Sequence, residues 1–396
     1  MIRIGLVGVS GYGRWHLKMI DEQVRRGRAC LVAATVPNQE QELEACSRLQ
    51  ASGVRLYRDH LEMFAALQGQ ADLVMLPTGI HWHTPMTLAA LDAGLHVLVE
   101  KPLAASLDEI DRIDAARRAA GRLVAVGFQE LYSAATHDVK RKILEGEIGA
   151  LRQVNVVGQW PRPLSYYARN EWAGRRRVGD AWVLDSPVSN AFAHFILLAL
   201  FWAGEQLDQP AQIVTLDAEM YRAQPIETFD TVSLVARTAG GVSITFNASH
   251  SGEINLPPEI RVVGEEGEIR WTLGRHCVRR RPDRPDEVWP LPSVPETRLQ
   301  VLHEVVSHLS GEPASFLVEP PLARVHTELV QRLDQSGEPQ IIPADVCVRL
   351  QRGDETFISV PGMDPVLRLA ADRGCLLSHV APPWAAAVVA RGRNGS

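Results

Sequence analysis

Only four of the 41 basic residues are lysines, Lys18, Lys101, Lys140 and Lys142, and one of them follows an apolar, strand-like run directly: His96-Val97-Leu98-Val99-Glu100-Lys101-Pro102. A composition this rich in arginine places arginine wherever any cation serves. Arginine does not release its proton in a protein, whereas a partly buried lysine does. Lys101 is therefore a candidate proton donor or acceptor; the competing reading is a salt-bridging lysine at a strand end. A second group is the glycine run Gly8-Val9-Ser10-Gly11-Tyr12-Gly13, which follows a strand-like segment and precedes a helix expected from about Arg14. Glycines there let the backbone turn tightly and approach a pyrophosphate, which then rests on the positive end of the helix dipole. Gly8 and Gly13 keep the G-x-G-x-x-G spacing, while Ser10 takes the middle glycine's place and Gly11 lies one position later. Gly8, Ser10, Gly11, Tyr12 and Gly13 are the candidate dinucleotide contacts.

The second strand of a dinucleotide fold normally ends in an acid that binds the ribose hydroxyls, but here the chain runs Ala34-Thr35-Val36-Pro37-Asn38. Val36 stands where the carboxylate is expected, and no arginine takes its place to neutralise a 2′-phosphate. Thr35 and Asn38 are the candidate hydroxyl contacts, and the cofactor is NAD or NADP, with NAD preferred. A later loop, Pro77-Thr78-Gly79-Ile80-His81-Trp82-His83, holds a His-x-His pair without a cysteine or a third ligand. It is read as a cofactor loop carrying Pro77, Thr78 and His83, and no metal is expected. Further on, Trp160-Pro161-Arg162 and Tyr166-Tyr167-Ala168-Arg169-Asn170-Glu171-Trp172 interleave aromatics with arginine. Aromatic faces and forked donors suit a polyhydroxylated ring, which makes Arg162, Tyr167 and Trp172 candidate substrate contacts. An aromatic loop packed at a subunit interface is the alternative.

These residues need elements to hold them. Short apolar strands are expected at 4–7, 31–34, 73–76, 96–99 and 123–126, with helical periodicity between them, as at 84–93 and 107–119. That rhythm predicts a Rossmann-like, doubly wound parallel sheet over residues 1–126. Ligands of such sheets lie beyond the carboxyl ends of the strands, where these motifs fall. From 127 to 380 the pattern changes to strands separated by Gly and Pro turns, an α+β rhythm. Residues 381–396 are expected to form a frayed tail.

The composition, 46% hydrophobic and 22% charged over 396 residues with a net charge of −6, is that of a globular protein with no basic excess for nucleic acid. Five scattered cysteines, no signal-peptide layout and no apolar run of about 18 residues point to a reducing cytoplasm and no membrane partner.

The chain resembles the Gfo/Idh/MocA oxidoreductases over roughly residues 1–335. The matching pieces are the glycine loop, the loop from Pro77 to His83, Ala89-Ala90-Leu91-Asp92-Ala93-Gly94 leading into Glu100-Lys101-Pro102, then Val126-Gly127-Phe128-Gln129 and Ile143-Leu144-Glu145-Gly146-Glu147-Ile148-Gly149. The resemblance implies a second domain built on an open, mainly antiparallel sheet that binds substrate and supports a homo-oligomer, a dimer or tetramer. It adds Glu100 to the cofactor loop and Gln129 to the substrate contacts. It also implies an aspartate and a histidine spaced D-x-G-x-H. In this chain His194 matches the histidine and Asn190 replaces the aspartate; placed four apart on one helix, both side chains would share a face. An asparagine orients by hydrogen bonds but carries no charge and takes no proton. The expected activity is NAD(P)-dependent hydride transfer to or from a ring hydroxyl of a sugar, sugar derivative or cyclitol, with Lys101 as base, His194 assisting and Asn190 orienting. The alternatives are glycoside cleavage through a keto intermediate with no net reduction of cofactor, and a non-catalytic dinucleotide sensor.

Overall fold

The computed structural model describes residues 1–314, 316–382 and 384. They divide into two compact units, Met1–Ala134 with Val294–Thr327, and Ala135–Ser293 with the chain from Glu328 onward. The first unit alternates β1 (Ile2–Val7), α1 (Gly13–Arg25), β2 (Ala29–Thr35), α2 (Leu43–Ala51), β3 (Arg55–Tyr57), α3 (His60–Leu67), β4 (Leu73–Leu76), α4 (Ile80–Asp92), β5 (His96–Val99), α5 (Leu107–Ala120) and β6 (Val124–Val126). The strands form one parallel sheet in the order β3-β2-β1-β4-β5-β6. β4 reads Leu-Val-Met-Leu with every residue buried. A strand without a polar face needs cover on both sides, which the connecting helices supply. The helices also carry their own punctuation: a Ser106–Glu109 capping box starts α5 and Gly121, in the left-handed region, ends it. Strand order reverses between β1 and β4, so the loops after β1, β2, β4 and β5 gather at the carboxyl edge of the sheet.

The second unit opens with α6 (Ala134–Leu144), β7 (Leu151–Gln159), α7 (Leu164–Ala168), the short pair β8 (Arg177–Val178) and β9 (Ala181–Trp182), and α8 (Ala193–Trp202). Strands then follow one another: β10 (Ile213–Arg222), β11 (Thr231–Thr238), β12 (Ser243–Ser249), β13 (Leu256–Gly264), β14 (Glu268–Thr272), β15 (His276–Arg281) and β16 (Arg284–Pro290). At α9 (Val294–Leu309) the chain re-enters the first unit, which interrupts the continuous stretch 127–380 expected for the second domain. The reason is packing. Val301, Leu302, Val305 and Val306 give α9 a buried apolar stripe, and α9 lies against α1, where Arg28 donates to Ser307 Oγ at 3.0 Å.

After α10 (Pro320–Gln335) come β17 (Gln340–Ile341), the hairpin β18 (Val348–Arg352) and β19 (Glu355–Ser359), and α11 (Met363–Arg373). The large sheet has nine strands in the order β16-β15-β14-β13-β7-β12-β11-β10-β17 and is antiparallel except at β7–β12 and β10–β17. Alternation sorts its faces. Val157 joins Met363, Leu367 and Ala370 of α11 in one buried cluster. Val154, Val156 and Phe246 point the other way, toward α8, which is apolar all round and buried over nearly its whole length. Of the tail expected over 381–396, only Ala381, Pro382 and Trp384 belong to the described residues; the rest lies outside them.

Candidate active site

The first strand delivers the glycine turn to the sheet edge. Gly8 and Gly11 have φ of 86° and 53°, the left-handed region that favours glycine, and the Gly8 N–H donates to the Thr35 carbonyl at 2.9 Å. Gly13 opens α1, and a Cβ there would press into the Gly8 carbonyl oxygen, so this glycine serves the close packing of helix against strand end. No acidic residue and no side-chain cap occupy the first turn of α1, which leaves its positive end to an anion. Ser10, Gly11 and Tyr12 are exposed on the turn. The arrangement fits a dinucleotide pyrophosphate.

At the end of β2 the expected hydroxyl contacts separate. Thr35 is buried and donates its hydroxyl to Met63 Sδ at 3.3 Å, so its side chain faces the core and not the carboxyl edge. Asn38 is exposed beside it, and Arg58, directly after β3, donates to the Pro37 carbonyl at 3.2 Å while pairing with Glu40.

The loops after β4 and β5 are joined by His83, whose Nδ1 lies 2.7 Å from the Pro102 carbonyl and whose Nε2 lies 3.2 Å from the Thr78 carbonyl. Burial lowers its pKa. His83 thus positions the Pro77-Thr78 and Lys101-Pro102 backbones from inside. The Thr78 hydroxyl is buried with no hydrogen-bond partner among the described residues, an orphan that a bound cofactor would satisfy.

Lys101, half-buried, begins the loop after β5, and the Lys101–Pro102 peptide is cis. Its backbone N–H donates to Glu100 Oε2 at 3.3 Å, and Glu100 Oε1 meets His16 Nε2 at 3.0 Å. Burial alone would raise the Glu100 pKa, but the His16 hydrogen bond and the charges of His16 and Lys101 outweigh it and hold the pKa below its ordinary value. Gly127 makes room for this carboxylate, since a Cβ would sit 2.8 Å from Oε1.

Gln129 is committed at both ends: its Nε2 donates to Glu130 Oε1 at 3.1 Å and its Oε1 accepts from Arg298 Nε at 3.2 Å. It therefore organises the strand-end loop, in place of the direct substrate contact expected. Arg298 also lies over the rings of Trp15 and Tyr12, 4.6 and 5.7 Å from their centroids. Burial pushes the neighbouring Glu130 carboxyl up to about 7, against the opposing pull of Gln129 and Arg298. His16, Glu130 and Arg298 were not found from the sequence. His16 carried a weak signal, three residues past Gly13 on an amphipathic helix, whereas Arg298 lies far along the chain and carried none.

The second unit gathers most of the remaining candidates around β7, α7 and α8. The Trp160 ring stacks on Phe192 at 4.6 Å, and Arg162 lies over Tyr166, 4.7 Å from the ring centroid. Arg162 Nε and the Tyr167 hydroxyl are buried without hydrogen-bond partners among the described residues. Burial, with the charges of Asp230 and Asp185, raises the Tyr167 pKa, so the phenol stays neutral. Trp172 reaches this cluster through Arg169, whose guanidinium lies 3.4 Å from the Tyr166 centroid and 5.2 Å from that of Trp172. His250, missed in the sequence, has Nδ1 2.8 Å from the Trp160 carbonyl, and burial and the Arg162 charge bring its pKa down to about 3. A neutral imidazole fixed in this way carries its proton on Nδ1.

Asn190 and His194 do not share a helix. α8 begins at Ala193, and Asn190 belongs to a preceding turn in which its N–H donates to the Ser186 carbonyl at 3.0 Å and the Phe192 N–H donates to the Pro187 carbonyl at 2.8 Å. Ser186 and Ser189 close this turn through their own side chains, with the Ser186 N–H donating to Ser189 Oγ at 2.8 Å and Ser189 Oγ to the Leu184 carbonyl at 2.6 Å. Such local bonds compete with helix. Asn190 Nδ2 instead donates to Asp185 Oδ1 at 2.9 Å.

Comparison with known proteins agrees with the two-part fold. Residues 2–128 match the model of an oxidoreductase family with an NAD-binding Rossmann fold, and residues 136–270 match the GFO/IDH/MocA C-terminal domain. The chain is 26% identical over 376 residues to an inositol 2-dehydrogenase/D-chiro-inositol 3-dehydrogenase of Halalkalibacterium halodurans, covering 90% of this chain and 99% of that one. It is 31% identical over 270 residues to an inositol 2-dehydrogenase of Burkholderia vietnamiensis, covering 67% and 72%. Among solved structures, the WlbA dehydrogenase of Bordetella pertussis, in complex with NADH and UDP-GlcNAcA, superposes with a TM-score of 0.69 at 25% identity, over 85% of this chain and 96% of that one. With both of its domains matched in order, the chain belongs to the Gfo/Idh/MocA family of NAD(P)-dependent oxidoreductases.

Proposed function

We propose that this protein transfers hydride between a nicotinamide cofactor and a ring hydroxyl of a sugar, sugar derivative or cyclitol. The observation that carries the reading is Lys101, placed with Glu100 and His16 at the carboxyl edge of the same sheet as the glycine turn. The inositol dehydrogenases among its relatives support the substrate class. When bound, the cofactor supplies the hydride acceptor. Lys101 Nζ takes the hydroxyl proton. The Glu100 carboxylate, kept ionised by His16, stands beside Lys101 and favours its charged form, so a cationic ligand nearby is needed to shift the balance toward proton release. His83 holds the two loop backbones that carry Thr78 and Lys101. In the second unit Asn190 and His194 orient and relay, and Arg162, Tyr167 and the neutral His250 form a wall of donors, acceptors and aromatic faces suited to a polyol. We place the protein in the reducing cytoplasm, where its five free cysteines remain thiols, and read it as a homodimer or homotetramer, which analytical ultracentrifugation tests. Among the described residues no helix is long and apolar enough to cross a membrane.

The deciding experiment incubates the protein with NAD or NADP and a panel of myo-inositol, free sugars, amino sugars and nucleotide sugars, following reduced nicotinamide and glycoside cleavage in parallel. Reduced cofactor with one polyol class is the expected result. Cleavage without net reduction, or cofactor binding with no turnover of any member, would overturn the dehydrogenase reading.

A further inference from the structure

On β13 and β14 the two faces of the large sheet differ in kind. Ile260, Val262, Ile269 and Trp271 are buried, with Trp271 against Phe195 of α8, whereas Glu259, Arg261, Glu268 and Arg270 alternate with them on the face that carries α11. α11 packs on β7 and β12, so its apolar cover ends before these charged positions. Between the helix and the sheet lies a cavity of about 130 Å³. Its floor is one register row, in which Asn155 of β7 stands opposite Arg261 of β13 and Arg261 opposite Arg270 of β14, with Glu259 in the next row. Arg368 and Asp372, exposed and one turn apart on α11, stand at its mouth.

The unspent hydrogen-bonding capacity on this floor belongs to donors. Asn155 is 2% exposed, and its Oδ1 accepts from the Thr245 hydroxyl on β12 at 2.6 Å. That contact turns Nδ2 to the opposite side, toward β13, where it is buried with no hydrogen-bond partner among the described residues. Arg261 and Arg270 both present Nε to Glu268, at 2.6 and 2.8 Å, and Arg270 Nη1 lies 3.8 Å from Glu259 Oε1. One carboxylate thus fixes two guanidinium groups by their edges, while their ends make no hydrogen bond among the described residues. Burial pushes the Glu268 carboxyl up, but the bonds from Arg270 and Arg261 hold it below its ordinary value, which keeps the bridge charged. Between Asn155 and the two forks a water meets donors to which it has nothing to donate, whereas an oxyanion only accepts. The space is also several times what one water requires. We propose that this cavity binds a small oxyanion, the carboxylate or phosphate group of a metabolite, held by the ends of Arg261 and Arg270 and by Asn155 Nδ2, with Arg368 at the mouth. The lining sets three guanidinium groups against two carboxylates, Glu259 and Asp372, so its charge suits a ligand with a single anionic group and not a polyanion. The proposal is independent of the polyol reading above.

The test titrates the full-length protein with sodium acetate and, separately, sodium phosphate, against sodium chloride of equal ionic strength, following calorimetric heat and thermal midpoint with and without saturating NAD. The two anions distinguish a carboxylate ligand from a phosphate one. At least one should bind with a Kd below about 10 mM and raise the thermal midpoint, and the response should persist when NAD fills the glycine turn. Asn155→Asp sets a carboxylate where Nδ2 donates and should abolish the binding. Arg368→Ala should weaken it about tenfold, the scale of one lost charge-assisted hydrogen bond, and Glu259→Gln, which removes an opposing charge, should tighten it. NAD affinity should stay at the wild-type value in all three. A wild type that responds to neither anion beyond chloride overturns the proposal and leaves the cavity to water. A response that NAD removes, or that either Asn155→Asp or Arg368→Ala leaves within about threefold of wild type, places the anion elsewhere and also overturns it. If Asn155→Asp does not fold, Arg368→Ala at its exposed helix position decides: tenfold weaker binding sustains the proposal and unchanged affinity overturns it.

Discussion

Lys140 shows one physical reason for keeping a lysine in a chain that favours arginine, and the role proposed for Lys101 is another. Lys140 is fully buried, and its Nζ donates to the Phe201 carbonyl at 2.6 Å and to the Gly204 carbonyl, satisfying the C-terminal end of α8. Burial lowers its pKa to about 8. A compact ammonium on a thin stem fits that place and a planar guanidinium does not, so here shape excludes arginine. At Lys101 the reason we propose is proton exchange, and the two explanations part under substitution. Lys101→Arg keeps the charge and should reduce turnover by 10²- to 10⁴-fold, roughly 3 to 5 kcal/mol of transition-state stabilisation, while calorimetric NAD affinity stays near wild type. An arginine variant with near-normal turnover on a validated polyol would return Lys101 to a structural cation. The residue type was legible in the sequence; what surrounds it was not, because His16 and Glu100 meet across 84 positions of chain.

At the scale of elements, the β1–turn–α1 unit ties binding to stability. The clash that a side chain at Gly13 would make is with the Gly8 carbonyl, inside the protein, so bulk there displaces α1 from the strand end along with whatever rests on its amide groups. Gly13→Val should therefore abolish measurable NAD or NADP binding and also lower the thermal midpoint. Retained affinity in calorimetry would show that the turn is not the pyrophosphate site. Buried strands such as β4 and β5 were readable because a fully covered parallel sheet leaves no polar alternation, only apolar runs closed by loops. The start of α8 was not. Spacing placed Asn190 and His194 on one helix face, but the serine-closed turn delays the helix to Ala193 and gives Asn190 a different partner, Asp185. A four-residue spacing reports a shared face only if the helix is already there.

Across the whole molecule, burial of ionisable groups makes stability depend on pH in opposite senses in the two units. Unfolded His250 titrates near 6.5, while the folded residue stays neutral down to about 3, so between these values the unfolded chain binds the extra proton. The stability that neutral His250 contributes is complete above pH 6.5 and is lost as pH falls, by about 1.4 kcal/mol per pH unit. Glu130 acts the other way: its pKa rises to about 7 in the folded state, so its contribution is complete at acid pH and is lost as pH rises from about 4.5 through 7. His250→Asn should flatten the acid side of the unfolding midpoint measured from pH 4 to 7, and an unchanged slope would remove His250 from the account. By itself the sequence determined the parallel Rossmann sheet, the glycine turn, the place of Lys101 after β5 and the membership of the family. Each of these is written in residues close together in the chain, where periodicity and turn chemistry act. Only the tertiary structure decided that α9 returns to the first unit, that Arg298 and His16 stand at its carboxyl edge, that Thr35 faces the core and that Asp185 holds Asn190. Those outcomes depend on which distant surfaces bury one another and which buried polar atoms then find partners, and neither is set by local spacing.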